Sequence, residues 1–211
     1  MGLLKTFIDF IIHLDKNLAL IIQGFGIWTY LLLFLAVFAE TGLVVAPFLP
    51  GDSLLFAAGT FAAVGSFNVM LLFAILCCAS IAGDNLNYFV GRFAGKKIAK
   101  SKNKFVKKEY IDKTHKFYAK YGAKTVVIAR FMPIVRTFSP FVAGIGKMKY
   151  IKFLAYSIIG ALLWVGLFVF GGYFFGNIPV IRNNFSITIM IIIILSITPA
   201  VIGYWRHKQQ K

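Results

Sequence analysis

Glu40, Asp52, Arg130 and Arg136 are the residues of this chain best placed to do chemistry, because each stands in or beside an apolar stretch interrupted by proline and glycine. If those stretches lie in lipid, each charge costs roughly 2.5–3.5 kcal/mol at a helix centre, so such residues face a cavity and a partner. The two arginines offer planar, permanently charged forks suited to a phosphate or pyrophosphate. The two acids can take up and release protons when partly withdrawn from water. Together they make a proton-linked anion site, in which protonating the acids frees the guanidiniums for a substrate phosphate. The plainer alternative is a pair of buried salt bridges that only hold two segments together, although apolar side chains would close such a contact more cheaply. Asp84 and Arg92 form a possible secondary polar site, with Asp84 capping its helix or pairing with Arg92.

The elements that must position these residues are membrane helices. Of the 211 residues 59% are hydrophobic and 14% charged, against roughly 45–50% and 25% in soluble domains, and the apolar residues fall in long blocks. Residues 1–24 read as an amphipathic helix with Lys5, Asp9, His13 and Lys16 on one stripe. These polar residues interrupt any signal-peptide core, so no cleavage is expected. The first repeat spans 25–95. It holds a broken hairpin over 28–64, with breaks at Pro47, Pro50 and Gly51, and a transmembrane helix over 69–91. The arm Ser53–Val64 is about 18 Å long as a helix, too short for a hydrocarbon core of roughly 30 Å. A re-entrant hairpin shielded by protein or water is therefore expected.

From Arg92 to Lys124 the chain holds one arginine and eleven lysines against Glu109 and Asp112, which makes 96–123 a cytoplasmic loop. The second repeat, 124–205, contains a hairpin over 124–147, broken at Pro133 and Pro140, and transmembrane helices over 151–176 and 186–205. Residues 206–211 form a cytoplasmic tail. Basic flanks place both ends of the second hairpin in the cytoplasm, so the first enters from the opposite face. Phe56-Ala57-Ala58-Gly59 matches Phe141-Val142-Ala143-Gly144 at three of four positions, and each precedes a Gly-x-Phe-x-Gly, at Gly91–Gly95 and Gly172–Gly176. The fold class expected is an all-α polytopic membrane protein of two inverted repeats, each a re-entrant hairpin plus transmembrane helices.

The net charge of +16 sits largely in one loop and suits anionic headgroups, not nucleic acid. Cys77 and Cys78 are expected to be buried and inert, without metal-site spacing. Trp28, Tyr30, Trp164, Tyr204 and Trp205 read as interfacial anchors. His13, His115 and His207 lie outside the hairpins, which argues against a lipid phosphatase or any other enzyme. No metal or cofactor is expected.

Three linked motifs resemble the DedA family, the bacterial branch of the SNARE-associated or VTT-domain proteins. They are Glu40 ahead of Pro47-x-x-Pro50-Gly51-Asp52; Gly83-Asp84-x3-Tyr88-x2-Gly91-Arg92-x2-Gly95; and Arg130-Phe-x-Pro133-x2-Arg136-Thr137-x2-Pro140-x3-Gly144. The resemblance covers about residues 25 to 180. It implies paired re-entrant hairpins in the bacterial cytoplasmic membrane and the flipping or scrambling of undecaprenyl phosphate or phospholipid, with dependence on the proton-motive force. It also implies that Glu40 and Asp52 couple protons while Arg130 and Arg136 bind the substrate phosphate. Membrane lipids and protons are the expected partners, with a homo-oligomer an open option. A proton-coupled antiporter of small cations or drugs is the competing expectation.

Overall fold

The computed structural model describes residues 14–43, 51–100 and 124–176, together with 178, 179, 181, 184, 187, 188 and 190–192. Among them there is no strand, and seven helices carry the architecture. Helix α1 (Leu14–Phe25) leads through a 3-10 turn at Gly26–Trp28 into α2 (Thr29–Gly42). Then come α3 (Gly51–Ala63), α4 (Val69–Lys100), α5 (Lys124–Ala129), α6 (Pro133–Ile145) and α7 (Tyr150–Phe175). Three stretches of 26 residues, Asn17–Gly42, Val69–Ala94 and Tyr150–Phe175, are long and apolar enough to cross a membrane. At 1.5 Å per residue each reaches about 39 Å. The first runs across the boundary expected between the amphipathic helix and the first hairpin arm. Helix α4 continues past the expected end at Gly91 as far as Lys100. The breaks at Pro47 and Pro50, the body of the basic loop, most of the final crossing over 186–205 and the tail lie outside the described residues.

Local chemistry sets the helix ends. Asn68 caps α4, its Oδ1 accepting from the Met70 and Leu71 amides at 3.0 Å each. Asp52 in the first turn of α3 complements the helix dipole. The second broken segment separates α5 from α6 at Arg130–Met132, and Pro133 starts α6 where its missing N–H costs nothing. Pro140 lies inside α6, so the carbonyl of Arg136 has no helical donor four residues on.

The chain forms two compact units. One comprises Met1–Ala36, Phe48–Leu76 and Trp164–Lys211, and within it α3 crosses the second half of α7 with backbone against backbone. A Cβ on Gly172 would lie 2.9 Å from the Phe56 carbonyl carbon, and one on Gly59 would lie 2.9 Å from that of Val169. The other comprises Val37–Pro47 and Cys77–Leu163. Here α6 crosses α4 in the same manner: a Cβ on Gly91 would stand 2.8 Å from the Phe141 carbonyl carbon, and one on Gly144 would stand 2.8 Å from the Arg92 nitrogen. Real Cβ contacts do not come under 3.0 Å, so only glycine permits either crossing. Beside the second crossing, Tyr88 stacks on Phe153 with ring centroids 4.4 Å apart and packs with Val126 and Ala143.

Two expectations need correction. Cys77 is buried but Cys78 is exposed, because neighbouring helical residues point about 100° apart and only one can face the interior. Trp164 is fully buried and not an interfacial anchor. Trp28, at 66% exposed, keeps an outward position.

Candidate functional site

One face of α4 supplies the frame of the site. Ser80, Asp84, Asn87 and Gly91 recur at helical spacing, and all four are buried. Against this face the break after α5 delivers Arg130, which is 2% exposed. Its Nη2 donates to Asp84 Oδ2, its Nη1 donates to Ser80 Oγ, and Nη2 also reaches Ser157 on α7 at 3.4 Å. Ser157 Oγ in turn donates to Asp84 Oδ2 at 2.6 Å. Gly160, one turn further along α7, leaves room for the arginine stem: a Cβ there would be 3.0 Å from Arg130 Nε.

The second pair joins α2 to α6. Arg136 lies one turn after Pro133, and its Nη2 donates to Oε1 of Glu40, near the end of α2. Glu40 is 2% and Arg136 5% exposed, so this ion pair is withdrawn from solvent like the first. Asn87 ties the same two segments together through the carbonyls of Thr41 and Thr137. A buried pair is stable while both partners are present, and removing one leaves an uncompensated charge. Each guanidinium can thus be released by neutralising a carboxylate that grips it.

The expected residues are therefore divided among different partners. Glu40 meets Arg136. Asp84 meets Arg130 and not Arg92, whose Nη1 instead donates to Tyr88 Oη at 2.7 Å, while that hydroxyl donates to the Met148 carbonyl at 2.6 Å. Asp52 belongs to the other unit, where Trp164 Nε1 donates to its Oδ1 at 2.8 Å. Ser80, Asn87, Ser157 and Trp164 were not singled out as site residues. For the first two, their shared register with Asp84 was the available signal.

The Trp164 contact makes a prediction. Trp164→Phe keeps most of the apolar volume but removes the indole donor to a buried carboxylate, which should cost about 2 kcal/mol. Thermal melting of the purified protein should show the loss. A Trp164→Phe protein as stable as wild type would show that this hydrogen bond does not hold Asp52.

No group of three or more metal-ligating side chains occurs among the described residues. Over residues 49–174 the sequence matches the VTT domain family. It is 51% identical to Protein DedA of Escherichia coli strain K12, over 99% of this chain and 97% of that protein. It is 39% identical to an uncharacterized membrane protein of Mycobacterium leprae, over 80% of this chain and 76% of that one. The inner membrane protein YqjA of Escherichia coli strain K12 is 27% identical over 85% of each chain. No solved structure matches the chain.

Proposed function

The chain belongs to the DedA family of VTT-domain membrane proteins, and on that footing we propose that it flips or scrambles a lipid phosphate, undecaprenyl phosphate or a phospholipid, across the bacterial inner membrane with protons as the coupling ion. Two buried guanidiniums, each gripped by a carboxylate, are the observation that carries this reading. Arg130 and Arg136 bind the phosphate, and Asp84 and Glu40 are the internal anions that it displaces. Protonation of Glu40 and Asp84 on the proton-rich face releases the forks to the headgroup. Deprotonation on the other face returns the carboxylates and expels it. Asp84 takes over the part that sequence reasoning gave to Asp52 as the second acid of the exchange. Asp52 retains a proton-coupling role in its own unit, beside Trp164.

The two glycine crossings support an inverted-repeat frame for this exchange. Phe56 and Gly59 on α3 meet α7 at Gly172 and Val169, while Phe141 and Gly144 on α6 meet α4 at Gly91 and Tyr88. Helix α3 is seated on the long helix of the other proposed repeat, and so is α6, which supports reading them as related halves. Re-entrant insertion of α2–α3 and α5–α6 belongs to this proposal.

The test is lipid-phosphate movement in proteoliposomes over a range of pH. Wild-type protein should bind and relocate the phosphate more strongly as pH falls through the titration of the carboxyls. Arg130→Ala should lose this binding by about a hundredfold, because charge-assisted hydrogen bonds of 1.5–3 kcal/mol each are removed. Cation-dependent proton flux without lipid movement would overturn the proposal in favour of an antiporter.

A further inference from the structure

Asn87 is fully buried on α4, and no step proposed so far uses it. Its Nδ2 donates to two backbone carbonyls, Thr41 O at 3.3 Å and Thr137 O at 2.6 Å. Those carbonyls belong to the residues immediately after Glu40 and Arg136, the two members of one ion pair. Thr41 lies in the last turn of α2, where carbonyls have no intrahelical donor. Thr137 follows the residue whose carbonyl Pro140 deprives of its helical donor. The amide therefore binds Thr41 where α2 is short of backbone donors, and binds Thr137 one residue past the carbonyl that Pro140 leaves without its helical donor. Its orientation is fixed as well, because turning it over would set Oδ1 against both carbonyls. In the orientation adopted, Oδ1 is buried without a hydrogen-bond partner among the described residues. An unpaired buried acceptor is costly, and an apolar side chain would fill the position without that cost.

From this bridge we infer that Asn87 is the positioning residue of the Glu40–Arg136 pair: by holding both segments in register it sets the separation of carboxylate and guanidinium. The inference rests on the phosphate-exchange reading for its consequence, but not for its geometry. Gly83 and Gly91, one turn to either side, seat the same segments on α4. A Cβ on Gly83 would lie 2.9 Å from the Gly42 nitrogen, and Gly91 accommodates Phe141. The bridge thus sits between two close approaches that leave it little play.

Two measurements test it on the full chain. In the absence of added lipid phosphate, amide hydrogen exchange in Asn87→Ala should accelerate together at residues 40–43 and 136–139 and stay unchanged at residues 56–60, which lie in the other unit. Acceleration everywhere, or nowhere, would overturn the inference. With farnesyl phosphate as the probe, Asn87→Ala should weaken binding about tenfold in the wild-type background and have no further effect on Glu40→Gln, since a positioning residue has nothing left to position. Equal losses in both backgrounds would reduce Asn87 to a general structural role and overturn the inference. If Asn87→Ala does not fold, Asn87→Ser, which keeps one donor, replaces it in both measurements with smaller changes of the same sense. Wild-type protein that fails to bind farnesyl phosphate would count against the phosphate-exchange reading alone, and the exchange pattern would still decide the role of Asn87.

Discussion

The double variant E40Q/R136Q should fold and insert about as well as wild type, yet lose lipid-phosphate movement by about a hundredfold. The two halves of this expectation come from different physics. Breaking the pair from one side, by E40Q or R136Q alone, leaves a charge buried in a site that is only 2–5% exposed, at a cost of about 3–5 kcal/mol. Removing both charges cancels that penalty, because a neutral pair of similar size is often as stable as the buried ion pair it replaces. Function does not recover with stability. On the proposed exchange, the guanidinium fork that would bind the phosphate is gone, and so is the carboxylate whose protonation would release it. Melting curves and proteoliposome assays on the two single variants and the double variant therefore separate a structural pair from an exchanging one. If the double variant regains activity along with stability, the pair is a staple and the exchange mechanism fails.

Alanine at the glycine crossings should be the most damaging small change outside the charges. Gly172→Ala sets a methyl 2.9 Å from the Phe56 carbonyl carbon and 3.0 Å from the Thr60 nitrogen, and Gly144→Ala meets the Arg92 nitrogen at 2.8 Å. The opposing atoms are backbone and cannot swing aside, so the cost should reach the upper end of the 1–3 kcal/mol typical of overpacking, about 3 kcal/mol. For a chain of this size that lowers the melting temperature by about 6–12 °C. Gly166→Ala is the control. Its nearest neighbour is the Phe73 ring at 3.6 Å, ordinary contact, and a helical glycine replaced by alanine gains about 0.5–1 kcal/mol. Melting of the three variants in one detergent checks the contrast. Equal stabilities would mean that the helices do not cross as closely as described.

The charges were legible in the sequence because lipid makes them expensive: Glu40, Arg130 and Arg136 are all buried and paired. Which acid meets which base was not legible. Asp84 and Arg92 share a helix and so suggest each other, but α4 presents Asp84 toward the break that carries Arg130, while Arg92 turns to Tyr88. Tertiary packing decided this, and no spacing along one helix encodes it. Trp164 was misread for a reason that position could have exposed. It lies 14 residues into α7, about 21 Å from the start, too deep for a headgroup anchor. The Phe-x-Ala-Gly and Gly-x-Phe-x-Gly traces were legible in the sequence, and they mark residues at the two crossings. That α3 sits on α7, and α6 on α4, required the fold.

The most direct test of the account is a contact measurement between arginine nitrogen and lipid phosphorus. Protein labelled with 15N at its arginine side chains, reconstituted with a polyprenyl phosphate at low pH, is examined by solid-state 15N–31P dipolar recoupling. The account predicts a guanidinium-to-phosphorus coupling that disappears in R130Q/R136Q and weakens as pH rises and Glu40 and Asp84 reclaim their partners. A coupling that persists in R130Q/R136Q, or its absence from wild-type protein that is moving the lipid, would contradict it.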